Sequence, residues 1–88
     1  MKQFTKDPSA KLDYTINWED ELASDTIATS TWSVPTGITQ ESETETTTTT
    51  TIWVSGGTLG QRYNLVNSIV TAAGREDQRT VQLLIVEK

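Results

Sequence analysis

Apolar and polar residues alternate along several short segments of this chain. In residues 11–18 one row of alternate positions is apolar: Leu12, Tyr14, Ile16 and Trp18. Alternation with a period of two is typical of a strand with one buried face. The last segment repeats it, with a row formed by Val81, Leu83 and Ile85. Each of these segments is therefore predicted to be a half-buried strand.

Further strands are predicted at four places along the chain: 26–34, 38–45, 46–54 and 63–72. Residues 19–23 favour a single helical turn. Gly-rich or Pro-rich turns recur at intervals of roughly ten residues, which is the spacing of an all-β sandwich. The final two runs flank Gly74 and read as a hairpin. The sequence thus predicts a single β-sandwich of about seven short antiparallel strands.

The middle of the chain is polar, and its strand register is the least specified. Two-residue spacing predicts Glu41, Glu43 and Glu45 on one water-facing side of their strand. A run of threonines follows, and identical neighbours specify register poorly. We expect Ile52 and Val54 to set this register, with the help of the turn after them.

Tyr63 opens the penultimate strand, just after a glycine turn. A tyrosine at this place in immunoglobulin-like sandwiches forms a tyrosine corner, with its hydroxyl bonded to upstream backbone. The alternative is a plain core tyrosine. The first reading makes the predicted sandwich immunoglobulin-like.

Residues 1–10 are predicted to be an N-terminal arm, and residues 11–88 the sandwich. Pro8 lacks a backbone donor and biases the residue before it away from helix, so regular structure is expected after it. Phe4 is the large apolar side chain of this segment. It either lies over the edge of the sandwich or anchors the chain to a neighbouring subunit.

Composition excludes several classes of function. The 88 residues contain no cysteine and no histidine, which removes disulfides, thiolate metal sites and the usual general base. A net charge of −5 disfavours a nucleic-acid partner. No apolar run approaches the roughly 20 residues that a membrane-spanning helix needs, and the first residues lack the apolar core of a signal peptide. We expect a soluble protein.

The candidate chemistry is sparse, so no catalytic, cofactor-binding or metal-binding residue is predicted. The acidic turn of Glu19, Asp20, Glu21 and Asp25 could bind calcium through oxygen ligands. It lacks the ligand spacing of a calcium loop such as an EF-hand, so a solvated surface turn is the favoured interpretation. The three tryptophans, Trp18, Trp32 and Trp53, could stack on a sugar. We expect them in the core instead, because each can bury some 200 Å².

The final hairpin carries apolar residues on both faces, and only one face can line the core. The second face predicts a contact surface, since exposed apolar patches usually mark such sites. We predict an interface formed by five residues: Phe4, Val66, Val70, Leu84 and Val86. Leu84 and Val86 could alternatively belong to the core.

Four segments carry a resemblance to a known family: 13–18, 25–34, 51–58 and 71–75, together with Leu22, Gly60 and Tyr63. The most specific parts are Ser-Thr-Trp at 30–32 and Ser-Gly-Gly-Thr at 55–58, followed by Tyr63. From Lys6 onward the chain resembles small tailed-bacteriophage proteins with immunoglobulin-like folds, of the fibre–tail adaptor type. The threonine run departs from the family pattern.

The resemblance implies a non-enzymatic structural protein of the virion, assembled in the host cytoplasm. Its expected partners are other phage virion proteins, namely portal, neck, tail or fibre subunits, and it implies several copies in a cyclic assembly. It implies no nucleic-acid or membrane partner. The alternative is a carbohydrate-binding or capsid-decoration module on the virion surface.

Overall fold

The computed structural model describes residues 2–87, with side chains from Phe4 onward. Within them lie seven strands and one short helix. Their bounds are β1 (Lys2–Lys6), β2 (Leu12–Asn17), α1 (Glu19–Leu22), β3 (Ile27–Ser33), β4 (Ile38–Glu45), β5 (Thr49–Gly56), β6 (Arg62–Thr71) and β7 (Glu76–Ile85). The predicted all-β fold and the single helical turn are confirmed.

The strands form two sheets that pack face to face. One sheet has the order β1-β7-β6-β3 and the other the order β2-β5-β4. Between them lies a core of large apolar side chains, among which Trp18, Ile52, Val54, Leu65, Leu83 and Ile85 are fully buried. The β2-β5-β4 and β7-β6-β3 groupings match the two sheets of an immunoglobulin-like sandwich. Here the first strand lies beside the last strand rather than beside β2.

Strand β1 corrects the expectation that regular structure begins after Pro8. It pairs with β7 in parallel, with Lys2 opposite Val81 and Lys6 opposite Ile85, so the segment predicted as an arm contributes a strand to the larger sheet. It also adds a parallel pair to strands that were all expected to be antiparallel. The sequence pattern could not predict this pairing, because it joins segments from the two ends of the chain and periodicity reports only on neighbouring residues.

The Lys6 side chain is buried at the end of this strand. Its Nζ donates hydrogen bonds to the backbone oxygens of Gly56, at 2.7 Å, and Asp7, at 2.9 Å. Burial lowers the pKa of Lys6, and the negative charge of Asp7 partly offsets this effect. The two carbonyl oxygens thus replace the water molecules that would solvate the ammonium group if it were exposed.

A β-bulge in β4 corrects the predicted row of three carboxylates. Gln40 is opposite Val54 and Ser42 is opposite Trp53, which leaves Glu41 as the extra residue. Glu41 therefore lies on the solvent-facing side of the three-stranded sheet, where its carboxylate accepts a hydrogen bond from Ser55 Oγ at 2.5 Å. Glu43 is opposite the buried Ile52 and lies on the core-facing side.

Thr50, within the threonine run, belongs to a buried polar network. The hydroxyl of Thr50 donates to Asn67 Oδ1 at 2.7 Å, and Trp18 Nε1 donates to the same oxygen at 3.0 Å. The Asn67 amide in turn donates to Ser30 Oγ and to the Thr31 carbonyl. A slip of one residue would bring Thr49 or Thr51 into this network in place of Thr50, so the network alone does not select the register. The same slip would turn Ile52 and Val54 outward, and these two side chains therefore set the register.

Tyr63 forms the predicted tyrosine corner. Its hydroxyl oxygen accepts a hydrogen bond from the Thr58 backbone N–H at 3.0 Å. Gly57, two residues after Ser55, has a φ of +103° and leaves no room for a side chain, because a Cβ would lie 2.7 Å from Ile85 Cδ1. The turn before β6 thus depends on glycine at position 57 and on the hydroxyl group of Tyr63.

Candidate interaction surface

The outward side of the four-stranded sheet carries four of the five predicted interface residues. Along β6 and β7 every second residue is buried, so Val66, Val70 and Leu84 point away from the core. Val86 continues this alternation just beyond β7, and its backbone N–H donates to the Lys6 carbonyl at 2.8 Å. We call this side of the sheet the outer face.

The outer face does not gather these residues into one apolar patch. Leu84 is opposite Arg62, Val66 is opposite Thr80, and Val70 is opposite Glu76. Four residues along a strand correspond to roughly 13 Å, so these aliphatic side chains are spread along the hairpin. Small polar residues separate them.

Between its two ends the outer face carries no charge. Its described side chains there are Thr5, Thr29, Thr31, Ser33, Asn64, Val66, Ser68, Val70, Gln78, Thr80, Gln82 and Leu84. Arg62 and Glu76 lie at opposite ends of it. The centres of protein interfaces are depleted in charged residues. In a chain with a net charge of −5, this is a surface that a partner can cover without desolvating an ion.

Phe4 lies apart from the other four residues. It is opposite the buried Leu83 and is itself half-buried against the core. Its ring contacts that of Tyr14, with centroids 5.0 Å apart and planes tilted by 46°. The sheet thus separates Phe4 from the outer face, and its contacts match the alternative of a side chain covering the sandwich edge.

Trp53 corrects the expectation that all three tryptophans are in the core. Trp18 is fully buried and Trp32 is 9% exposed, whereas Trp53 is 37% exposed. Since Ile52 and Val54 face inward, Trp53 between them has to face outward. There it lies opposite Asp13 and Ser42, as a single exposed indole and not a platform of rings.

The acidic turn is engaged in structural contacts. Glu21 forms an ion pair with Arg79, whose guanidinium lies 5.0 Å from the centre of the Trp18 ring. Asp25 accepts hydrogen bonds from the backbone N–H groups of Thr26 and Ala73. Residues 2–87 contain no group of three potential ligands that could hold a metal ion. Nor do they contain a helix long and apolar enough to cross a membrane.

Hydrogen bonds also hold the pKa of Asp25 below its ordinary value. The Thr71 hydroxyl has the largest effect, followed by the backbone groups of Thr26 and Ala73 and the positive charge of Arg75; desolvation acts in the opposite direction. Asp25 therefore links the segment before β3 to the turn between β6 and β7.

Comparison with known families gives these features a context. A family model described as "Podophage GP4 fiber-tail adaptor protein gp77" matches residues 6–84. The chain belongs to this family. No curated protein matches it. The resemblance inferred from the sequence is thereby confirmed, and the chain is a phage protein of the fibre–tail adaptor type.

The segments that carried the resemblance in the sequence have structural roles in this chain. Ser30 and Thr31 accept the hydrogen bonds of the Asn67 amide, and Trp32 beside them is buried. Residues 55–58 form the turn that Tyr63 closes. The side-chain contacts of these motifs thus maintain the sandwich.

Sequence reasoning missed the polar part of the adaptor's core. Asn67 shares an alternating row with Leu65 and Ile69, and Thr50 shares one with Ile52. A polar residue within an apolar row is a signal for a buried hydrogen bond. The partner of such a residue lies on another strand, and the sequence does not name it.

Proposed function

We propose that this adaptor is a non-enzymatic virion protein of the neck or tail region that joins tail or portal components to fibres. It is assembled into the particle in the host cytoplasm, and it works by contact, with the outer face as its principal contact surface. The observation that carries this proposal is the uncharged stretch of the outer face between Arg62 and Glu76. Membership of the fibre–tail adaptor family supports it.

The same face suits repeated contacts in a ring. Cyclic assemblies present one surface patch once per subunit. The scattered aliphatic side chains Val66, Val70 and Leu84 give each copy a modest contact. Several modest contacts made together reach high avidity. We therefore propose multiple copies around the axis of the particle, bound to other virion proteins.

Particle incorporation tests this role. Phage carrying Val70→Asp or Leu84→Asp in this gene are compared with wild type, and the protein is quantified in purified particles. Val70 is 38% exposed, so its variant should fold; tryptophan fluorescence of the purified variants checks this. Thr44→Asp places the same charge on the exposed outer side of β4 and serves as the matched control.

We expect both outer-face variants to be lost from particles while the Thr44→Asp variant is retained. Folded outer-face variants that are incorporated at the wild-type level would reject the outer face as the contact surface. Absence of the wild-type protein from purified particles would reject the virion role itself.

A further inference from the structure

The free edges of the two sheets differ in how they are protected against strand addition. Edge strand β4 carries Glu41, Glu43 and Glu45 and a bulge, and both features discourage pairing with another strand. Edge strand β1 is five residues long, with a lysine at each end, and edge strand β2 carries the charged Asp13. Edge strand β3 has no charged residue and no bulge over residues 29–33, which we call the β3 edge.

The β3 edge is regular and uncharged. Its residues are Thr-Ser-Thr-Trp-Ser, in unbroken register with β6 from Thr29 opposite Val70 to Ser33 opposite Val66. Among residues 2–87, β3 pairs with β6 alone. Its irregularity is confined to the start, between Ile27 and Thr29. One side of this strand thus presents backbone donors and acceptors suited to another strand.

The second observation concerns β4 in the opposite sheet. Its core-facing side carries Gln40, Glu43 and Glu45, yet all three are exposed. The Gln40 amide donates to Glu43 at 2.6 Å. Beyond the buried Ile38 the larger sheet does not cover this side, because that sheet ends at β3, and β3 lies across the sandwich from β5.

A strand added to the β3 edge would fill this gap. It would extend the sheet by one position, from above β5 to above β4. Stacked sheets lie about 10 Å apart, a distance that a lysine or arginine and a glutamate can span together. Since side chains alternate along a strand, every second residue of the added strand would face Glu43 and Glu45.

We propose that the β3 edge binds an extended segment of a partner protein by strand addition, and that this segment carries lysine or arginine at alternate positions facing Glu43 and Glu45. A second copy of this chain is a poor occupant. Its own β3 contains no basic residue, and the copy would bring the same two carboxylates. The inference deepens the proposed adaptor role, on which it rests, by naming the kind of segment that the adaptor receives.

The test uses the full chain and a synthetic peptide. A capped peptide of about eight residues, a usual strand length, alternates lysine and threonine; a second peptide has glutamate in place of lysine. Amide NMR spectra of the ¹⁵N-labelled protein are recorded during titration. We expect saturable shifts and slower hydrogen exchange at residues 29–33 with the lysine peptide, and none with the glutamate peptide.

Two double variants with the same net charge test the role of the carboxylates. Glu43→Gln with Glu45→Gln should weaken binding roughly three- to tenfold, the effect of losing two exposed ion pairs. Asp13→Asn with Glu41→Gln removes two carboxylates from the other face of the same sheet and should leave binding unchanged. An equal loss of peptide affinity in the two double variants would show that only the net charge matters, and would overturn the proposal.

Other outcomes also overturn it. Saturable shifts at β1, at β2 or at the free side of β4 would assign the added strand to another edge. Shifts that do not saturate at millimolar peptide would show that the protein does not bind the strand. Concentration-dependent shifts at residues 29–33 without peptide would identify a second copy as the occupant. In phage, incorporation of the Glu43→Gln, Glu45→Gln variant at the level of its control contradicts this inference alone. Absence of the wild-type protein from particles contradicts the adaptor role.

Discussion

The hydroxyl oxygen of Tyr63 accepts a hydrogen bond from the backbone N–H of Thr58, five residues earlier in the chain, at 3.0 Å. The ring lies over Gly37, where a Cβ would come within 2.9 Å of Tyr63 Cε1. One side chain thereby joins the turn before β6 to the turn before β4. Hydrogen bonding to Thr58 also lowers the pKa of the phenol.

Tyr63→Phe should lower the free energy of unfolding by about 1 kcal/mol, because it removes this hydrogen bond and leaves the ring in place. Urea denaturation measures the change. Tyr14→Phe is the matched control, since the Tyr14 hydroxyl is buried and has no hydrogen-bond partner within the part of the chain that the structure describes. We expect that variant to be as stable as wild type or more so. Equal losses in the two variants would contradict the role given to the Thr58 contact.

Asn67→Ala should destabilise the sandwich by about 3 kcal/mol, since it removes a hydrogen-bond partner that three groups share. The affected groups are the Trp18 Nε1–H, the Thr50 hydroxyl and the Thr31 carbonyl. Thr50→Val keeps the side-chain shape and removes one donor, so about 1 kcal/mol is expected. Urea denaturation of both variants gives the comparison. A smaller loss for Asn67→Ala than for Thr50→Val would show that Asn67 is not the centre of the network.

Gly57→Ala and Gly60→Ala separate steric crowding from backbone conformation. Both glycines have positive φ, of +103° and +85°. An alanine in this region costs about 1–2 kcal/mol. Only at Gly57 would the new Cβ meet Ile85, at 2.7 Å, whereas at Gly60 nothing lies within 4 Å. Overpacking should therefore make the Gly57 variant less stable by a further 1–3 kcal/mol or so. Thermal unfolding measures the difference, and equal stabilities would contradict the packing against Ile85.

The contribution of Asp25 should depend on pH. Its pKa is lower in the folded protein than its ordinary value of 3.8. Between the folded and the unfolded pKa of Asp25, the unfolded chain therefore binds more protons than the folded protein. The stabilisation is present above about pH 4 and is lost as the pH falls through the folded pKa. We expect Asp25→Asn to be less stable than wild type at pH 6, with the difference shrinking below pH 4. Urea midpoints at several pH values measure it, with Asp20→Asn as the control for loss of one charge. A difference that grows on acidification would reverse the predicted sign.

Local patterns in the sequence predicted much of the fold. Alternation placed Tyr14 and Ile16 on the buried face of β2 and Trp18 just beyond it, although Leu12 at the start of that row is exposed. The bounds of β4 are those predicted. The tyrosine corner could be predicted because its signal is local, a glycine turn followed by Tyr63. Such features depend on residues that are close together in the sequence, so they can be predicted from the sequence.

Features that depend on distant strands could not be predicted. The pairing of β1 with β7 joins the two ends of the chain, and the bulge that turns Glu41 outward is a property of two strands together. The outward orientation of Val66 and Leu84 followed from alternation. Their separation by polar residues depends on the register between strands. The role of these residues as an interface remains a prediction.

The parallel pairing of β1 with β7 has a mechanical consequence. Both strands run in the same direction, from Lys2 opposite Val81 to Lys6 opposite Ile85. A tension applied to the chain ahead of Lys2 and beyond Ile85 would pull the two strands past each other along their length. All the hydrogen bonds between them would then be sheared together, whereas a strand peeled from one end yields its bonds in succession. A protein that links two bodies of a particle through its opposite ends would resist extension best in this geometry.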